Sequence, residues 1–113
     1  MRDKAAIRSY REFWPYYLNE HRKPRTRTLH LVGTAVTTAL LLLAIPTANI
    51  WLVPIAIAAG YGPAWFGHYV FEKNQPATFR YPFWSLVSDF RMAGTWLAGG
   101  LQRELERAGI HDQ

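Results

Sequence analysis

Residues 28–71 read TLHLVGTAVTTALLLLAIPTANIWLVPIAIAAGYGPAWFGHYVF, 44 consecutive positions without Asp, Glu, Lys or Arg. A helix that crosses a membrane takes about 20 mainly apolar residues, so this window holds two spans and a tight turn. The turn falls at Pro46-Thr47-Ala48-Asn49, which places span one at residues 28–45 and span two at 50–71. A turn this short makes the two spans antiparallel neighbours. Gly33 and Thr37 lie one turn apart on span one and offer a small-residue face for close helix approach. Gly60, Gly62 and Pro63 interrupt span two and predict a kink or local unwinding there. The pattern predicts an all-α protein built on an integral membrane helical hairpin.

Outward from the hairpin the chain becomes polar. Over residues 4–21, Ile7, Tyr10, Trp14, Tyr17 and His21 recur at helical spacing, and Pro15 predicts a kink or a division into two short helices. Trp14, Tyr16 and Tyr17 beside basic residues suit an N-terminal helix lying at a membrane interface. On the C-terminal side, Pro82 suits the first turn of a helix over residues 82–108. Its stripe Leu86, Phe90, Ala93, Leu97, Leu101 and Leu105 is apolar, but Asp89 and Arg91 make it a poor span. The reading is an amphipathic helix packed on the hairpin or lying at the interface. The chain thus reads as one membrane domain over residues 1–113, without internal repeats.

Mean hydropathy is −0.12 because polar ends are averaged with an apolar middle. Eight basic residues, from Arg2 to Arg27, precede span one, where the positive-inside bias places them in the cytoplasm. A hairpin then leaves both termini cytoplasmic. Orientation accounts for the basic charge, and no nucleic-acid partner is expected. The apolar run starts about thirty residues in and is too long for the core of a signal peptide, so none is expected. The absence of Cys excludes disulfides, thiolate metal sites and cysteine nucleophiles. Any metal must be held by imidazole, carboxylate, amide or water.

His21 precedes span one, His30 begins it and His68 lies near the end of span two. A hairpin returns His68 to the side where His30 starts, so three imidazoles gather at one boundary. Imidazole is the commonest metal ligand in a chain without cysteine, and an ionisable group at membrane depth is a functional candidate. Glu72 follows His68 by four residues, on the same helical face, and is a candidate fourth ligand; its alternative is an ion pair with Lys73 or Arg80. Asp89 has three readings: a ligand, an outer acceptor that orients an imidazole, or the partner of Arg91 or Arg80. Glu72 and Asp89 are the candidate catalytic carboxylates. The plain reading of each histidine is a hydrogen bond to backbone or lipid headgroups. His111, in the polar tail, is assigned no role.

The segments Tyr17-Leu18-Asn19-Glu20-His21 and Arg27-Thr28-Leu29-His30-Leu31-Val32-Gly33-Thr34 carry a resemblance, together with the run from Gly67-His68 through Glu72 to Ala77 and the stretch Ser85 to Asp89. Over roughly residues 10–93 the chain resembles the fungal 2-hydroxy fatty acid dioxygenase family and its bacterial relatives. The resemblance implies a multi-pass membrane oxygenase, dependent on iron(II), that uses O2 to shorten a 2-hydroxy fatty acid by one carbon. It implies metal ligation by His21, His30 and His68, and a bacterial inner-membrane location. Where the family carries Asn between the first two histidines, this chain has Thr26. Arg27, Lys73 and Arg80 are then candidates to neutralise the substrate carboxylate. The acyl chain is expected in an apolar groove opened by the Gly60 to Pro63 interruption, beside Trp65 and Phe66. The rival reading is a non-catalytic membrane scaffold or lipid-binding protein with a structural metal site, and a homo-oligomer is the expected means of covering Gly33 and Thr37.

Overall fold

A computed structural model describes residues 6–110, and every regular element among them is helical. The order is α1 (Tyr10–Asn19), α2 (Pro24–Thr47), α3 (Leu52–Phe66), a π-helical segment (Gly67–Glu72), a short 3₁₀ turn (Ala77–Phe79), α4 (Pro82–Leu97) and α5 (Leu101–Arg107). The expected helix start at residue 4 and His111 lie outside the described residues.

Ser9 caps α1 by accepting the Glu12 N–H at 3.3 Å. Pro15 does not divide this helix. It is exposed, so the carbonyl it leaves without a donor sits on the water side. Phe13, Trp14, Tyr17 and Leu18 are buried against Met92, Leu101, Leu105 and Ile110. The aromatic residues expected at a membrane interface therefore form the protein's own core with α4 and α5.

Pro24 opens α2 at its first position, four residues before the expected start. Pro46 sits inside its last turn, and the helix ends where Ala48 takes a left-handed φ of 53°. The Asn49 side chain then accepts the Trp51 N–H, and α3 returns along α2. A Cβ on Gly33 would stand 2.8 Å from the Gly60 carbonyl oxygen, so the two backbones nearly touch. Thr37 Oγ1 donates to the Ala56 carbonyl at 2.7 Å beside that crossing. The small-residue face expected to admit a second helix is thus filled by α3 of the same chain.

With 24 residues and a mean hydropathy of 1.9, α2 is the one described helix long and apolar enough to cross a membrane. As an α-helix α3 has 15 residues, too few alone, although the chain stays helical to Glu72. The two-span expectation is therefore met in full by one helix. The expected unwinding at Gly60 to Pro63 does not occur there. The α-helix runs through all three residues and widens into a π-helix only at Gly67, one turn beyond Pro63. Such wide turns re-phase the side chains that follow, and here they include His68.

The single expected helix over residues 82–108 is two, because Gly99 takes a φ of +81° that ends α4. Its apolar stripe is also divided: Leu101 and Leu105 are buried in the core, whereas the part on α4 faces outward. Leu86 and Phe90 are each 45% exposed and Leu97 78%, while Ser85, Ser88 and Met92 are buried. Ser88 Oγ meets the Tyr10 hydroxyl at 2.8 Å. The inner surface against α4 is polar, and that selects its polar face.

Candidate metal centre

His21 sits just beyond α1, His30 in the second turn of α2 and His68 in the π-helical segment, and all three are buried. Their ligand atoms lie within 4.8 Å of one another. His21 Nε2 stands 3.0 Å from His68 Nε2 and 3.3 Å from His30 Nε2. Two of the rings are aimed from behind. His21 Nδ1 lies 2.6 Å from the Tyr17 carbonyl. His68 Nδ1 lies 2.8 Å from Asn74 Oδ1, whose amide nitrogen donates to the carbonyl and carboxylate of Glu20.

These bonds fix the tautomers. A carbonyl can only accept, so His21 Nδ1 carries hydrogen; Asn74 spends its amide hydrogens on Glu20, so its oxygen accepts from His68 Nδ1. Both rings then point bare Nε2 lone pairs at each other across 3.0 Å. That contact is repulsive unless a cation or proton lies between the rings. Two nitrogens each about 2.1 Å from one ion stand about 3.0 to 3.4 Å apart, the spacing seen here. Burial, reinforced by the His30 and His68 rings, holds the His21 imidazole well below its ordinary pKa, hence neutral and ready to ligate. The residues fit a metal ion.

Asp89 flanks the cluster. Its Oδ1 accepts from the Tyr17 hydroxyl at 2.5 Å and lies 3.1 Å from His30 Nε2. Asp89 therefore reaches the cluster at the same nitrogen, His30 Nε2, that faces His21, and not at the opposite ring nitrogen where an outer acceptor would orient the imidazole. Arg91 instead lies over the Trp14 ring, 4.0 Å from its centroid, and Arg80 over Tyr81. Burial and the Asp89 charge push the Tyr17 phenol well above its usual pKa, so it stays a donor.

Glu72 is not brought to the cluster. Its carboxylate accepts the Lys23 N–H at 2.6 Å, at the start of α2, because the π-turn removes the i, i+4 relation to His68 that an α-helix would give. Arg27 is buried and donates to the carbonyls of His21 and Arg22 at 3.0 and 2.7 Å, bracing the turn between α1 and α2. Lys73 and Arg80 are exposed. Thr26 is fully buried, and its Oγ1 and His30 Nδ1, one turn apart, have no hydrogen-bond partner among the described residues.

Four residues of the centre escaped sequence reasoning. Tyr17 carried a signal, four residues before His21 on one helical face. Asn74 reaches His68 only because Lys73 adopts a left-handed φ of 59° that turns the chain back. Trp65 Nε1 and Ser85 Oγ are buried without partners among the described residues, and both residues line the space of about 10 Å³ beside the three imidazoles. An unmet buried polar atom is costly and calls for a ligand. Replacing Asn74 with Ala should weaken metal affinity about 10- to 100-fold, as loss of an outer partner does elsewhere. Titration of metal-free protein with Co(II) checks this, and unchanged affinity would detach Asn74 from the centre.

A family model described as Mpo1-like, 2-hydroxy-palmitic acid dioxygenase Mpo1-like, matches residues 7–101. No curated protein and no solved structure matches the chain.

Proposed function

The chain belongs to the Mpo1-like family, and from that membership we propose that it is an iron(II)-dependent membrane dioxygenase that shortens 2-hydroxy fatty acids by one carbon. The observation that carries the reading is the convergence of three buried Nε2 atoms, two of them with lone pairs opposed at 3.0 Å. His21, His30 and His68 would hold ferrous iron, which would supply the reducing electrons that O2 needs and a Lewis acid for a 2-hydroxy carboxylate.

The chain's own residues do the rest. The Tyr17 carbonyl and Asn74 orient His21 and His68. Asp89, fixed by the Tyr17 hydroxyl, stands where it can take the proton of the substrate's 2-hydroxyl. Trp65 Nε1 and Ser85 Oγ, which lack partners among the described residues, donate to the substrate carboxylate in place of the expected Arg27, Lys73 and Arg80. Burial of all three imidazoles keeps bulk water from the reacting atoms.

The membrane assignment rests on the surface as well as on α2. Leu42, Ile45, Ile50, Ile55, Ile57 and Leu97 are each at least half exposed. Surfaces this apolar are rare in water. In this reading α2 and α3 both enter the bilayer and the two chain ends share the cytoplasmic side.

Elemental analysis of anaerobically purified, detergent-solubilised protein should find near-stoichiometric iron, with O2 uptake on adding 2-hydroxypalmitate. Zinc in its place, or no uptake after iron loading, would overturn the proposal. The Ser85→Ala variant should raise KM about tenfold, since a hydrogen bond to a charged group is worth about 1.5 kcal/mol or more. An unchanged KM would remove Ser85 from carboxylate binding.

A further inference from the structure

A second cavity, of about 380 Å³, shares His30, Asp89, Tyr61 and Ala64 with the metal centre. It lies between α2, α3 and α4. His30, Thr34, Thr37 and Leu41 follow one another along a single face of α2, and Ile57 and Ala64 mark its two ends on α3. Phe90 of α4 closes the third side. The expected groove beside Phe66 is not this one: Phe66 is 54% exposed and does not line it.

We propose that this groove is the seat of the substrate's acyl tail and that Leu41 and Ile57, at its far end, set the accepted chain length. The inference rests on the dioxygenase reading for the identity of the head group. Three observations select an alkyl chain as occupant. First, the groove starts at the imidazole and carboxylate of the centre, so a molecule held there by its polar end continues directly into it. Second, from His30 to Leu41 the helix rises about 16 Å, close to the half-thickness of about 15 Å that one leaflet of acyl chains fills. A tail lying there runs parallel to its lipid neighbours and enters sideways from them. Third, beyond His30 and Asp89 the lining is mainly apolar, with Leu41, Ile57, Ala64, Leu86 and Phe90, and the Thr37 hydroxyl is already spent on the Ala56 carbonyl, so these walls suit an alkyl chain.

Leu41 is 36% exposed and Ile57 50%, so both tolerate larger side chains without disturbing the core. The test is the chain-length profile of iron-loaded protein in nanodiscs, read as kcat/KM for 2-hydroxy acids of ten and sixteen carbons. Leu41→Trp and Ile57→Trp should each lower the value for the sixteen-carbon acid at least tenfold and leave that for the ten-carbon acid within twofold. An equal loss at both lengths, or no loss at either, would overturn the groove assignment. A second readout needs no turnover: the added fluorescence of L41W over wild type should be saturably quenched by a fatty acid brominated near its methyl end and spared by one brominated near its carboxyl. Equal quenching by both probes would sink the groove. Position-dependent quenching in a protein that consumes no O2 would uphold the groove and sink the reaction.

Discussion

Alanine in place of His68 is expected to abolish stoichiometric metal binding and to lower O2 uptake by more than a hundredfold, while the protein still inserts and folds. The size follows from position. His68 is 1% exposed, its Nε2 is the nearest ring nitrogen to that of His21, and its Nδ1 is already committed to Asn74. No neighbouring imidazole can take its place, so the loss exceeds the 10- to 100-fold typical of an outer partner. Folding survives because the main core, Phe13, Tyr17, Leu18, Met92 and Leu105, lies in α1, α4 and α5. Removing the ring also relieves the repulsion between opposed lone pairs in the metal-free protein, which offsets part of the cavity left behind. Glu72→Ala supplies the contrast: its carboxylate holds the Lys23 N–H and not the cluster, so bound iron should stay near one per chain. Full metal content in His68→Ala, or its loss in Glu72→Ala, would reverse the assignment of these two residues.

The second large effect is expected at Gly33, far from any charge. A Cβ there would sit 2.8 Å from a backbone oxygen of Gly60, and backbone cannot swing aside as a flexible side chain can. Gly33→Leu must therefore push α2 and α3 apart. Overpacking of this kind typically costs about 1 to 3 kcal/mol, and the Thr37 to Ala56 hydrogen bond is strained with it. The separation is transmitted to the centre, because His30 lies one turn before Gly33 and His68 two turns after Gly60. The variant should melt several degrees below wild type and bind metal more weakly. Gly62→Leu is the control, since nothing lies within 4 Å of the Cβ it would gain. Equal melting temperatures for the two variants would show that the Gly33–Gly60 contact does not hold the hairpin.

Some of the site was legible because it follows from short-range facts. His30 and His68 lie at the ends of two antiparallel helices joined by a tight turn, so they must return to the same level. His21 follows a helical face that also carries Tyr17. Glu72 was misplaced by the same kind of reasoning, which assumed an α-helical register where the chain widens into a π-helix. Nothing local announces that change: Pro63 withholds a donor, but the α-helix continues past it for another turn.

The apolar stripe of the C-terminal helices was only partly placed by the sequence, since Leu101 and Leu105 join the core but the residues of α4 do not. Leu86, Phe90 and Leu97 form an apolar stripe, and in water such a stripe faces the core. Here the polar edge of the same helix, with Ser85, Ser88 and Asp89, meets Tyr10, Tyr17 and His30. The pairing of Ser88 with Tyr10 and of Asp89 with Tyr17 and His30 holds this polar edge inward, a set of contacts that spacing along α4 does not reveal.

By itself the sequence determined the all-helical class, the apolar hairpin with its turn near residue 48, the absence of thiol chemistry and the presence of three histidines at one level. All of these depend on charge, periodicity and spacing within a few tens of residues. Only the tertiary structure decided which Nε2 atoms converge, that Tyr17 and Asn74 aim two of them, that Glu72 stands aside, and that a largely apolar groove leads away from His30. Those outcomes depend on contacts between residues up to 72 positions apart, such as Tyr17 with Asp89. Their geometry is set by how closely two glycines let α2 and α3 approach and by one widened turn, neither of which leaves a periodic trace in the chain.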